Sequence, residues 1–237
     1  FDESEDDNGF NRDIAYQYDA DGDDGWAQSY LGVSVLGGSI PMSYLKTNYY
    51  QWVWTNSNNS DYPAYSMPID DYERYEKMSS SVPKGTGLDY TSEGYPSSEN
   101  SWLFLISAGP IGSKPSAADS TSWTLAPGDS CSIAFTVVCG LWSDGFTGDS
   151  PGRRNNLYVN YDWAQKAYDG EDKNRNNVLD EGEDTNDNQV IDRYILPAPP
   201  PVPNMHVEIE SRKVTLYWQN NSESFLDPIS QEADFEG

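Results

Sequence analysis

Basic residues, histidine and cysteine are all scarce in this chain. Fourteen Lys and Arg face 39 Asp and Glu, a formal charge of −25 over 237 residues. A surface of that sign repels phosphate backbones and anionic headgroups, so no nucleic-acid partner is expected. The single histidine, His206, has no second histidine or cysteine near it, which leaves zinc coordination and histidine-dependent nucleophilic catalysis without a local pattern. There is no glycine-rich phosphate loop, and no spacing singles out a glycosidase pair among the acids. The chain is therefore read as non-enzymatic. No apolar run approaches the roughly 20 residues that span a bilayer, so membrane insertion is not expected. Cys131 and Cys139 bracket one strand-like run. Its ends lie about 25 Å apart if extended, well beyond the roughly 7 Å that a disulfide allows. Two buried thiols are expected, or a bridge to another chain. The sequence opens Phe1-Asp2-Glu3 without an initiator Met or signal peptide, as expected of a mature product or an excised window.

What is present is β-forming and heavily punctuated. With 17 Tyr and 8 Trp among many Gly, Pro, Ser and Asn, short strands and long turns are favoured over helices. Alternating runs at Ile14–Tyr18, Tyr30–Leu36 and Tyr49–Trp54, and the apolar run Trp102–Ile106, read as strands. Ala126-Pro127-Gly128-Asp129 has the residues of a type II turn. It predicts a hairpin joining Trp123–Leu125 to a strand Cys131–Val138, with Cys131, Ile133, Phe135 and Val137 on one face. Residues 55–100 look irregular. One helix is expected over Asn156–Tyr168, where Leu157, Tyr161, Ala164 and Tyr168 recur at helical spacing behind an Asn155 or Asn156 cap. Leu196-Pro-Ala-Pro-Pro-Pro-Val-Pro203 is an extended spacer, and Met205–Ile209 and Val214–Trp218 around Ser211-Arg212 read as strands opening a new β-domain. The division is a β-rich domain over 1–168, an acidic segment over 169–194, a proline linker over 195–203 and a partial β-domain over 204–237.

The acid is concentrated. Residues 1–25 hold ten acids and one Arg, and residues 169–194 hold nine acids and three bases. Crowded carboxylates repel unless a cation sits among them, and a hard, oxygen-seeking ion such as Ca2+ suits them. In the second stretch Asp172, Asn174, Asn176, Val178 (through its carbonyl), Asp180 and Glu183 occupy positions 1, 3, 5, 7, 9 and 12 of an EF-hand-like loop. Twelve residues on, Asp184, Asn186, Asn188, Val190 and Asp192 repeat positions 1 to 9. Alternate donors in such a loop converge on one point as it curls. Position 6 is Asn177 and then Gln189 instead of glycine, and position 12 of the second loop is Ile195, so that site is expected to be weaker or to use a ligand from elsewhere. A further candidate is the turn holding Asp19, Asp21 and Asp23, with Asp6 or Asp7 contributing. The alternative for each stretch is a solvated acidic loop.

The tandem loops resemble those of dockerins and thrombospondin type 3 repeats. The runs SAGPI, WTLAPGDSCSIAFTVVCG, NNLYVNYDWAQKAYDG and YQYDADGDDGWAQSYLGVSVLGG resemble a module of large secreted Bacteroidota-type proteins, and PPVPNMHVEIESRKVTLYWQNNSESFLDPISQEADFEG is similar to the first strands of a fibronectin type III domain. The resemblance implies a secreted, extracellular or cell-surface protein and no known activity. The expected fold is mainly β, a β-sandwich-like domain with one short helix, the calcium loops, and opening fibronectin-type strands. The expected function is a calcium-stabilised structural or adhesive segment that assembles with itself into a filament or surface layer by β-strand addition. The alternative is a carbohydrate-binding module whose glycans would stack on Tyr49, Trp52, Trp54, Tyr62 and Tyr65.

Overall fold

The computed structural model describes residues 1–19, 27, 29–53, 67–81, 102–112, 123–141, 149–229 and 233. The protein is mainly β. Among these residues the elements are β1 (Ala15–Tyr18), β2 (Ser29–Gly38), β3 (Lys46–Val53), α1 (Asp71–Ser79), β4 (Trp102–Gly109), β5 (Ile133–Leu141), α2 (Pro151–Asp169), β6 (Met205–Glu210) and β7 (Lys213–Trp218). The strands form three small antiparallel sheets, β1-β2-β5, β3-β4 and β6-β7. Two compact units result: Phe1–Gln165 with Asn174–Val178, and Lys166–Lys173 with Leu179–Gly237. Among the described residues no helix is long and apolar enough to cross a membrane.

In the first unit, α2 covers one face of the three-stranded sheet. Leu157 and Tyr161 are buried there, and two glycines let the helix come close. A Cβ on Gly140 would lie 2.6 Å from the N, Cα and Cβ of Leu157, and one on Gly32 would meet Ile14 at 2.7 Å. The helix starts earlier than its apolar spacing suggests. Ser150 and Pro151 make a cap and first-turn pair, with the Ser150 carbonyl accepting from the N–H groups of Arg153 and Arg154. Asn156, expected as the cap, instead accepts from Leu141 N at 2.8 Å, and Asn160 donates to the Cys139 carbonyl at 2.6 Å. These two side chains occupy the outer edge of β5, where exposed strand groups otherwise invite pairing.

The N-terminal acids are tied into this unit. Arg12 donates to both carboxylate oxygens of Asp162 at 2.8 Å. The buried Arg154 pairs with Asp2 at 2.7 Å and with Asp149 at 3.1 Å, and Asp149 also accepts from the hydroxyls of Tyr16 and Tyr30. A second cluster joins Phe1, stacked on Tyr49 at 5.0 Å, to Ala15, Tyr50 and the partly buried Phe104, Leu105 and Ile106.

Several expectations are corrected. The turn at Ala126–Asp129 is present, with Gly128 at φ +94°, but the strand after it pairs with β2 and not with Trp123–Leu125. The face carrying Phe135 and Val137 is 68% and 58% exposed, and neither cysteine is buried; both are free thiols. The irregular stretch 55–100 contains α1, opened by Asp70, whose side chain accepts from Glu73 N while Glu73 accepts from Ile69 N, the residue before the cap.

In the second unit the end of α2 turns at Gly170, φ +55°, where a Cβ would lie 2.1 Å from the Asp192 carbonyl. Tyr168 meets Tyr194 edge-on at 5.5 Å, beneath the Arg193 guanidinium. Residues 191–203 have no regular structure. Beyond them β6 and β7 pair from Met205↔Trp218 to Glu210↔Lys213.

Candidate metal site in the 171–195 repeats

Each repeat is held by its own asparagines. In the first, Asn174 accepts from Asn176 N at 3.1 Å and Asn176 from Val178 N at 2.6 Å. In the second, Asn186 accepts from Asn188 N at 3.1 Å and Asn188 from Val190 N at 2.7 Å. Such side-chain turns suit Asn and Asp because the short polar arm reaches the backbone two residues on. Between them the backbone enters the left-handed region at positions 4 and 6 of both repeats: Arg175 (+57°) and Asn177 (+61°), then Asp187 (+60°) and Gln189 (+62°). Four non-glycine residues in that region, at matching positions, show that the sequence period is a structural period.

The second repeat lies whole within the second unit. Its position-1 residue, Asp184, accepts from Asn188 N at 3.1 Å and Gln189 N at 2.8 Å. The amides of Asn186 and Asn188 both donate to one oxygen of Asp192, at 2.6 and 2.8 Å. The side chains at positions 3, 5 and 9 thus meet at one oxygen of Asp192.

The first repeat is divided. Asn174, Asn176 and Val178 belong to the first unit, and Asp172, Asp180 and Glu183 to the second. Within the first unit Arg175 is buried against Asp6 at 2.7 Å. Asp6 also accepts from Asn8 N and Phe10 N. Within the second unit Glu183 bridges the loop, accepting from Lys173 N (position 2) and Asp180 N (position 9), each at 3.0 Å. Asp172 is buried and accepts from Arg193 at 2.6 Å.

The residue that sequence reasoning missed is Glu171. It is 1% exposed. One carboxylate oxygen accepts from Thr185 N at 2.8 Å and from the Thr185 hydroxyl at 2.6 Å; the other accepts from Asp192 N at 2.9 Å. Thr185 and Asp192 are positions 2 and 9 of the second repeat, so Glu171 makes there the bridge that Glu183 makes in the first. Burial pushes its pKa up, but the bonds from Thr185 and Asp192 outweigh that and hold it below 4.5. A signal for it existed: Glu171 stands one twelve-residue period before Glu183.

Among the described residues no three Asp, Glu, His or Cys side chains form a metal-holding group; the donors assembled in the second repeat are carboxylates mixed with asparagine amides. Asp19 accepts from Ala27 N at 3.0 Å, while Asp21 and Asp23 lie outside the described residues. Of the aromatics considered for glycan stacking, Tyr49 is buried at 5% exposure and Trp52 is half-buried; Trp54, Tyr62 and Tyr65 lie outside the described residues. His206 stacks on Tyr217 and sits 3.7 Å from Glu208. No family model matches the chain, and no curated protein or solved structure matches it.

Proposed function

We propose that this chain is an extracellular structural or adhesive segment stabilised by calcium bound in its two twelve-residue repeats. The observation that carries the reading is the matched geometry of those repeats: left-handed backbone at positions 4 and 6, asparagine turns from 3 to 5 and from 5 to 7, and a glutamate bridging positions 2 and 9. All the donors are oxygens, which suits Ca2+ over softer metals. In the second repeat the ligands would be Asp184, Asn186, Asn188, the Val190 carbonyl and Asp192, with Glu171 supplying the bidentate acid that Ile195 cannot. For the first, the spacing of the sequence alone names Asp172, Asn174, Asn176, the Val178 carbonyl, Asp180 and Glu183. On binding, Asp172 would give up part of its pairing with Arg193. Bound calcium neutralises carboxylates that otherwise repel each other and fixes the chain between α2 and the proline-rich linker.

The extracellular assignment rests on this calcium reading, because loops of this kind bind at the millimolar levels found outside cells, and on the resemblance to secreted modules. The fibronectin-type reading of 204–237 gains support from the β6-β7 hairpin, and the self-associating form of the function from its strand edges, which are unpaired among the described residues. The test is calorimetric calcium titration with melts in calcium and in chelator, on wild type and on Asp172→Ala/Glu183→Ala. Wild type should bind and melt higher in calcium, and the variant should lose the first site's share of both. Absence of binding at millimolar calcium would sink the proposal.

A further inference from the structure

The end of α2 and the start of the proline-rich stretch are pinned together by contacts that all lie within the second unit. Glu171 N donates to the Asp192 carbonyl at 3.0 Å, and Asp192 N donates back to the Glu171 carboxylate at 2.9 Å. Beside them Arg193 donates to Asp172 at 2.6 Å. Glu171 and Asp172 are each 1% exposed, and polar contacts shielded from water in this way are electrostatically stronger. Arg193 and Tyr194 both pack on Tyr168. Gly170 lies so close to the Asp192 carbonyl that a Cβ there would come within 2.1 Å of its oxygen. One half of the pin, 168–172, precedes the repeats and the other, 192–194, follows them, so residues 173–191 lie between the two halves.

We infer that this pin is a force-bearing clasp: tension entering from α2 crosses from 171–172 to 192–193 and leaves through the proline-rich linker, while 173–191 form a closed loop outside the load path. The inference rests on the structural or adhesive form of the proposed function, since such a segment transmits load, and is independent of its calcium. Topology supports it. Tension follows the shortest connected route through a folded chain, and the clasp shortens that route by nineteen residues. The far side of the clasp is anchored as well. Ala198 N donates to Asp227 at 3.1 Å and Asn221 donates to the Val202 carbonyl at 3.4 Å, so load leaving at Tyr194 meets a segment that is itself held. The loop is then stored length. Opening the clasp releases about 45 Å if only 179–191 pay out, and about 65 Å for all of 173–191, at roughly 3.4 Å per residue. The smaller value applies while Asn174–Val178 keep their contacts in the first unit, where Arg175 pairs with Asp6 and Asn177 donates to the Gly38 carbonyl.

The experiment is optical-tweezers extension of the full chain in chelator, with handles on Lys166→Cys and Pro197→Cys. Both positions are exposed, and Cys131→Ser and Cys139→Ser remove the native thiols. Opening should appear as an abrupt lengthening of about 45–65 Å. Six Gly and Ser residues inserted after Val178, which is 55% exposed, should lengthen that step by about 20 Å and leave the opening force and the extension before it unchanged. Gly170→Ala drives a methyl against the Asp192 carbonyl and should lower the opening force, as should Arg193→Gln; melting curves verify that each chain stays folded. Inserted residues that lengthen the chain before opening would place the repeats in the load path and overturn the inference. A smooth extension with no step, or an opening force that neither variant changes, would overturn it too. Calorimetry on the same chain keeps the two readings apart: calcium binding without a step removes the clasp and leaves the calcium sites standing, and a step without calcium binding does the reverse.

Discussion

Replacing Glu171 by Gln tests the second repeat in isolation. The buried carboxylate has two jobs that separate in the assay. In chelator its oxygens only bridge Thr185 and Asp192. A glutamine keeps one oxygen to accept from Thr185, but its amide nitrogen then faces the Asp192 N–H, donor against donor. Leaving that buried N–H without an acceptor costs about 1–3 kcal/mol. In calcium a further loss appears. If the wild-type site is held at a hundredfold excess over its dissociation constant, binding contributes about 2.7 kcal/mol. A hundredfold weaker site at the same calcium level contributes about 0.4 kcal/mol by the same relation. The variant should therefore be less stable in chelator and should also lose about 2 kcal/mol of the calcium-induced increment, read from urea unfolding with and without calcium. Calorimetry should show one site of two weakened. A Glu171→Gln chain that is destabilised in chelator yet keeps the full calcium increment would refute the ligand role and leave Glu171 a structural brace.

Two further predictions concern the first unit. Gly140→Ala puts a methyl 2.6 Å from the backbone of Leu157 and should cost about 1–3 kcal/mol as α2 is forced off the sheet; Gly152→Ala, in the same helix with nothing within 4 Å, should be neutral or stabilising by up to about 1 kcal/mol. Urea midpoints of the two variants compared with wild type check both signs. The second concerns acid. Burial opposes ionisation of Asp2 and Asp6, but hydrogen bonds to Asp2 from Tyr158 and Ser4, and to Asp6 from Phe10 and Arg175, outweigh it, aided by the charges of Arg154 and Arg175, so both pKa values lie below 3.8. Groups lowered in this way stabilise fully above the unfolded value and lose that contribution as pH falls through 3.8 toward the native one. Wild-type urea midpoints should drop steeply below about pH 4, and Asp2→Asn/Asp6→Asn should be weaker at neutral pH with a flatter acid limb.

The strands were legible where alternation was strong, as in Tyr49–Val53 and Met205–Ile209, because period two is a local property. Their partners were not. Nothing near Ile133–Leu141 announces that it lies beside Ser29–Gly38, and the turn at 126–129 pointed to a nearer partner that the sheet does not use. Helix α1 went unread because Tyr72 and Tyr75 are exposed and leave no clear apolar stripe, although the Asp70/Glu73 pair marks its start. Asn156 and Asn160 look like a cap and a solvated position, and only the fold shows them against the strand edge. The repeats are legible through their period; Glu171 stands one residue before the first aspartate of the loop pattern, where only the twelve-residue period reaches it.

The pairing of Ser29 with Leu141 has a consequence in time. A sheet whose central strand meets a neighbour from so far along the chain must close a large loop before any contact rewards it, which makes that step slow. The Asp184–Asp192 turn closes over a few residues and can order far sooner. The order of events in refolding should therefore run against the order of the sequence, with the C-terminal repeat formed while the N-terminal sheet is still searching. Loop closure also depends only weakly on length, about 0.6 kcal/mol per doubling. Residues added to the connections between β2 and β5, outside β3, α1 and β4, accordingly cost little thermodynamically, and the penalty appears in the rate at which β5 finds its place.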